Sequence, residues 1–391
     1  MARKYNNISG DGHLEIPPEF WTKYAPAKVR DRAPHTVRIW DGTEVVRMGN
    51  HEMTIDVILA GDLDYDLYGH GRAARYHYDD GTNRPGAGDS AQRLQEQDND
   101  GLDAEVLYPA VSAQKFLKNL LDKDKDRDTY LTLVEAYNTW LGQEFCAAAP
   151  DRLIGNAIMP ETGVEDAIKE MERCKKMGIP SVNIANWPNG TGWYAPGDEK
   201  FFQAAVDLNI VLSPHSNFGA NAAKPGATDA ATTAVNRLNS RTGGSAAYAT
   251  SQLIYHIFDK VPKSLVYIGE SYCSWIPFNM NRQNEYYIRY QHREGFHLKK
   301  LPSEYYRDNM KFSFIHERSA LQMRHLIGID LLMWGSDFPH TANTYPHSQE
   351  SLDEMFLDVP AAERRQVMVM TPCEVFGLDP EKDLTPTPKK K

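Results

Sequence analysis

The chain has 391 residues, 41% of them hydrophobic and 10% aromatic, with a formal net charge of −10. That composition supplies a full core and excludes a disordered chain, and the negative balance argues against nucleic acid or an anionic membrane as partner. Cys146, Cys174, Cys273 and Cys373 lie far apart with no CxxC spacing, which points away from a disulfide framework or a thiolate zinc site.

The first extended segment, Ile8-Ser9-Gly10-Asp11-Gly12-His13-Leu14-Glu15, reads as a short strand. Asp11 and His13 are two apart, so both point to one face and can chelate; Glu15 continues the parity. Residues 16–88 lack any strand–helix rhythm and read as an insertion packed over the mouth of the fold. It holds a hairpin over 36–46 turning at Asp41-Gly42, and a run carrying Tyr65, Tyr68, His70 and Arg72. A helix over 90–100 then leads to a strand over 104–109, and an amphipathic helix over 124–149 leads to a strand over 153–160. A helix over 164–177 is followed by a strand over 178–185, whose end carries no Lys, and by a loop with Trp187, Trp193 and Tyr194. Next come a helix over 199–209, a strand over 210–215 ending on His215, a Gly/Ala-rich loop to 233 and helix to about 260. A strand over 264–270 ends on Glu270, a helix spans 274–293, and 297–308 reads as a charged loop. The last repeats are a strand over 311–315, a helix over 317–327 and a strand over 330–334, which runs out at Gly335-Ser336-Asp337-Phe338-Pro339-His340. Helices fill 348–376, and 377–391 is a polar tail.

Eight strands alternating with helices predict a (β/α)8 TIM barrel, distorted, built from residues 1–15 and 89–376. An open doubly wound sheet would want a Gly-rich phosphate loop after the first strand, and none is present. In a barrel the active site lies at the C-terminal strand ends, where the reading places Asp11, His13, His215, Glu270 and Asp337. Taken singly, each has an ordinary structural reading: Asp337 as a turn residue, a strand-end His as a hydrogen-bonded one. Taken together, at the same place in separate β/α units, they read better as ligands of a divalent metal. The His/carboxylate mixture suits Zn²⁺ first, with Mn²⁺ or Fe²⁺ as alternatives, over Mg²⁺ or Ca²⁺.

Asp11-x-His13, His215 after an apolar strand, Ile268-Gly269-Glu270-Ser271 and Trp334-Gly335-Ser336-Asp337-Phe338-Pro339-His340 together resemble the amidohydrolase superfamily. The pattern is similar to its amidohydrolase-2 group, related to aminocarboxymuconate semialdehyde decarboxylase. The resemblance implies one metal held by Asp11, His13, His215 and Asp337. With no Lys at the end of the fourth strand, it implies a mononuclear site. Two departures stand out: Asp11 replaces the first His of the His-x-His of many relatives, closer to the Glu-x-His of aromatic-acid decarboxylases, and Glu270 takes the place of a catalytic His.

The leading expectation is a mononuclear metal-dependent hydrolase of a small aromatic or carboxylate-bearing substrate, with metal-activated water as nucleophile. Asp337 would take the proton, with Glu270 or His340 as a second acid/base. The alternative is non-oxidative decarboxylation of an aromatic or unsaturated carboxylic acid; a third is a non-catalytic, metal-stabilised binding barrel. Substrate contacts are expected from Trp187, Trp193, Tyr194, Tyr68, His70 and Arg72. The resemblance implies a homo-oligomer. With no apolar stretch behind the basic start and no run near the ~18 residues a membrane span needs, a cytoplasmic protein without membrane contact is expected.

Overall fold

The computed structural model describes residues 3–38, 40, 44–48, 51–53, 76–78, 80–109, 111–215, 218, 243–340 and 342–384. β1 (Ile8–His13) is followed by three short strands, β2 (His35–Arg38), β3 (Glu44–Met48) and β4 (His51–Met53), which pair antiparallel as a small separate sheet. The pairing of Val37 with Val45 is that of the hairpin expected there; its turn lies outside the described residues. The other seven strands, β5 (Ala104–Tyr108), β6 (Leu153–Ile158), β7 (Ser181–Asn183), β8 (Val211–Leu212), β9 (Val266–Ile268), β10 (Met310–Phe314) and β11 (Leu332–Trp334), join β1 in one parallel sheet in sequence order. Their side chains are buried almost without exception, as strands covered on both faces must be.

The sheet closes between its first and last strands. Just beyond β11, Asp337 N–H donates to Asp11 O at 2.8 Å and His13 N–H donates to Phe338 O at 2.7 Å. The backbones meet so tightly that a Cβ on Gly335 would lie 2.5 Å from Asp11 Cβ, and one on Gly12 would lie 2.0 Å from Glu105 Oε1. Ser9 Oγ accepts from Ser336 N–H at 2.9 Å and donates to Asp11 O at 2.9 Å, completing the seam. The architecture is the (β/α)8 barrel that the alternation predicts.

The helices depart from expectation in places. Val111–Asp122 is a helix not foreseen between β5 and the Arg127–Trp140 helix, although Ala113, Phe116, Leu117 and Leu120 recur at helical spacing and are buried. Much of 297–308, expected as loop, lies in the helix Pro302–Asn309, which Pro302 opens at a position where its missing N–H costs nothing. The expected single helix over 317–327 is two, Arg318–Gln322 and Arg324–Ile327, and 348–376 divides into Ser348–Met355, Ala361–Arg365 and Thr371–Phe376 with a wide turn at Gln366–Met370. Among the described residues no helix is long and apolar enough to cross a membrane.

Candidate metal centre and the cavity beside it

The strand ends bring Asp11, His13, His215, Glu270, Asp337 and His340 together. His13 stands at the middle: its Nε2 is 3.4 Å from Asp11 Oδ1 and 3.3 Å from Asp337 Oδ1. His215 Nε2 is 3.8 Å from Asp11 Oδ2 and 3.5 Å from Glu270 Oε2. His340 Nδ1 is hydrogen-bonded to Asp337 Oδ1 at 2.9 Å, and its Nε2 lies 3.6 Å from Glu15 Oε1. Two overlapping sets of potential ligand atoms lie within 4.8 Å of one another, Asp11–His13–His215 and His13–Asp337–His340. The first holds three of the four residues expected as ligands; His13 joins it to the fourth, Asp337.

Local backbone explains how these groups are aimed. Asp337 and Glu270 both sit in the left-handed region, at φ 56° and 44°, where a side chain is costly and persists only when its surroundings dictate it. Asp337 is pinned by the seam to β1. Glu270 N–H donates to Ser313 Oγ at 3.0 Å, and the preceding Gly269 N–H donates to Pro214 O at 3.0 Å. Beneath the cage a buried ion pair, Arg93 Nε to Glu105 Oε2 at 2.8 Å, braces the same loop: Arg93 donates to Phe338 O at 3.3 Å and its guanidinium lies over the Phe338 ring.

The electrostatics ask for a cation. Both oxygens of Asp11 and both ring nitrogens of His13 are buried with no hydrogen-bond partner among the described residues, a costly state for groups of this polarity. Histidines are the ion-pair partners found for Asp11 and Asp337. Burial opposes protonation of His13, but its contacts with Asp11 and Asp337 prevail and raise its pKa; burial likewise resists charging His340, and Asp337 overrides it. Burial would lift the Asp337 carboxyl, yet His340, hydrogen-bonded to it, and His13, 3.3 Å away, hold it well below the usual range. Burial, with Asp337 and Asp11 nearby, pushes the Glu270 carboxyl up, while burial pushes His215 down to about 4. A divalent ion placed among them would supply in one centre the positive charge now shared as protons on imidazole rings. Donor type, burial and spacing therefore fit such an ion.

Against His13, Tyr108 and His215 opens a cavity of about 240 Å³. Leu117, Leu121, Ile158 and Met159 give it apolar walls; Gln114, Lys118, Tyr130, Glu161 and Asn183 supply polar groups. Tyr108 Oη is tied to Ser213 Oγ at 2.6 Å, which fixes its ring between His13 and His215. The aromatic residues expected to meet substrate lie elsewhere. Trp187 is buried against Phe202, Phe218 and Tyr194; Tyr194 stacks on His256; Trp193 is exposed to solvent. None of the three lines this cavity. Tyr65, Tyr68, His70 and Arg72 lie outside the described residues, as does nearly all of the loop 216–233. Sequence reasoning missed Gln114 and Lys118 because it missed their helix, and missed Tyr130, Glu161 and Asn183 because nothing in their spacing marks them.

The fold is shared with solved structures of low sequence identity. An amidohydrolase from Mycobacterium avium subsp. paratuberculosis matches with a TM-score of 0.71 at 16% identity, over 97% of this chain and 99% of that one. 5-Carboxyvanillate decarboxylase from Sphingomonas paucimobilis matches at 0.64 and 18% identity, over 96% and 100%. A dihydroxybenzoic acid decarboxylase from Polaromonas sp., solved with manganese and the inhibitor 2-nitroresorcinol, matches at 0.60 and 16% identity, over 95% and 97%. The amidohydrolase family model matches residues 124–378, more than half of the chain and all of the barrel from the helix before β6 onward. The chain belongs to the amidohydrolase family, in its amidohydrolase-2 group.

Proposed function

We propose that the protein is a metal-dependent enzyme of monocyclic aromatic carboxylic acids, and that it removes the carboxylate as CO₂ without oxidation. The observation that carries this reading is the apolar cavity that meets the carboxylate–histidine cage at His13, Tyr108 and His215. An apolar cavity of ~150 Å³ holds benzene, so the volume here takes one substituted ring. Decarboxylases of aromatic acids share this fold, which supports the reading.

Asp11, His13, His215 and Asp337 would hold the metal. When bound, a divalent ion supplies Lewis-acid polarisation of substrate oxygens; the donor set accepts manganese as well as zinc. The chain's own groups do the rest. Leu117, Leu121, Ile158 and Met159 exclude water from the ring, and Tyr108 limits where it can lie. The Asp337–His340 pair holds a proton at a 2.9 Å contact and delivers it to the ring carbon bearing the carboxylate. The electron pair of the new C–H bond comes from the ring, the C–C bonding pair returns to it, and the carboxylate leaves as CO₂.

Hydrolysis of an amide, ester or vinylogous C–C bond is the second reading, favoured by one observation: the Asp337 carboxylate stands in the cage beside His13 and His340, where it could take a proton from water. Incubating the metal-loaded protein with a series of hydroxybenzoates separates the two. Stoichiometric CO₂ and phenol support decarboxylation; silence across the series, with turnover of amides or esters, would move the assignment to hydrolysis.

A further inference from the structure

The hydrogen bonds of the cavity's polar residues can be followed group by group. Gln114 Nε2 donates to Pro109 O at 3.1 Å, which fixes the amide, so its Oε1 accepts from Asn183 Nδ2 at 3.0 Å. That leaves Gln114 one Nε2 proton. The Glu161 carboxylate accepts from Lys118 Nζ at 3.3 Å and is also hydrogen-bonded by Asn186. Lys118 Nζ lies 3.1 Å from Asp122 Oδ2 as well. An ammonium has three protons, and two are now engaged. Tyr130 Oη accepts from Glu161 N–H at 3.1 Å, which leaves its own proton to give, and burial keeps that hydroxyl protonated. Among the described residues, the donors this wall has left to offer a ligand include one N–H of Lys118 and the O–H of Tyr130, both anchored on Glu161, besides a second amide N–H on each of Gln114 and Asn183.

The geometry points to a specificity subsite in which Lys118 and Tyr130 bind a neutral oxygen substituent, hydroxyl or methoxy, on the substrate's ring, away from the carboxylate at the cage. The inference rests on reading the cavity as an aromatic-acid pocket. A neutral oxygen is favoured over a second carboxylate because Glu161 and Asp122 already balance the Lys118 charge. A substituent without lone pairs would leave the buried Tyr130 hydroxyl without an acceptor for its proton, which is how a site built to hydrogen-bond rejects the analogue lacking the group.

The test is calorimetric binding of 2-hydroxybenzoate and its further hydroxy- and methoxy-substituted derivatives to metal-loaded wild type, Lys118→Met and Tyr130→Phe. Lys118 is half-exposed and Tyr130→Phe removes one atom, though also the acceptor of Glu161 N–H, so circular dichroism checks that both variants keep the fold. In wild type the best oxygen-bearing derivative binds roughly tenfold tighter than 2-hydroxybenzoate, the value of a hydrogen bond to a charged donor. Each variant loses most of that margin while its affinity for 2-hydroxybenzoate is kept. Equal wild-type affinities, a margin surviving in both variants, or equal weakening of every ligand would overturn the subsite. Discrimination without CO₂ release would instead overturn the decarboxylation reading and leave the subsite standing; no ring binding at all would overturn both.

Discussion

At the scale of single residues, the cage depends on carboxylates and rings that satisfy one another poorly without a cation. His340 is the informative case. It contacts Asp337 directly and reaches Glu15, so it orients the carboxylate proposed as a metal ligand and is placed to share its proton. His340→Ala should weaken metal affinity by roughly 10- to 100-fold, as loss of a partner of a ligand does, and should lower kcat further in protein saturated with metal; a variant with unaltered affinity and kcat would remove His340 from the account. Protons compete with the metal for His13 and His215, because a ring nitrogen must be unprotonated to bind. Occupancy measured by dialysis should therefore fall on acidification, first as His13, whose pKa is raised, takes up a proton, and completely once His215 does so at about 4. Occupancy that rises on acidification would contradict this.

At the scale of elements, the closure of β11 onto β1 decides whether the ligands converge. Gly335→Ala places a methyl group against Asp11 and forces the two strands apart. Metal content should drop while the far-UV circular dichroism spectrum keeps its shape, since the other seven strand pairings are untouched. Arg93→Met leaves Glu105 buried without its cation, a change that costs about 3–5 kcal/mol; urea unfolding measures it, and a loss under ~1 kcal/mol would mean the pair braces nothing. This layer was only partly legible in the sequence. His215 and Asp337 could be read because each follows a short apolar strand, and Asp11 and His13 because their two-residue spacing puts both on one face of β1. Glu105, Arg93, Ser9 and Ser336 could not, because their roles rest on contacts across 12 to 327 positions of chain. Trp187 and Tyr194 looked like substrate contacts for the same reason: aromatic loop residues pack inward or outward according to neighbours that spacing does not reveal.

At the scale of the whole molecule, a metal held at the proposed site would be a strut for the barrel as well as a reagent. A ligand present at 100 times its dissociation constant stabilises the folded state by about 2.7 kcal/mol, so chelation should lower Tm and readdition of Mn²⁺ or Zn²⁺ should restore it. An unchanged Tm would place the ion away from β1, β8 and β11. The barrel itself followed from the alternation of eight apolar strands with helices, because parallel strands buried on both faces leave a continuous hydrophobic signature. The cavity did not, since it is bounded by the unforeseen helix Val111–Asp122.

The central claim is that Asp11, His13, His215 and Asp337 hold one divalent ion at the barrel mouth. Elemental analysis of the purified protein and its Asp337→Asn variant tests it most directly. The account predicts one divalent ion per chain in wild type and little or none in the variant; a metal-free wild type, or a variant that keeps its full complement, would contradict it.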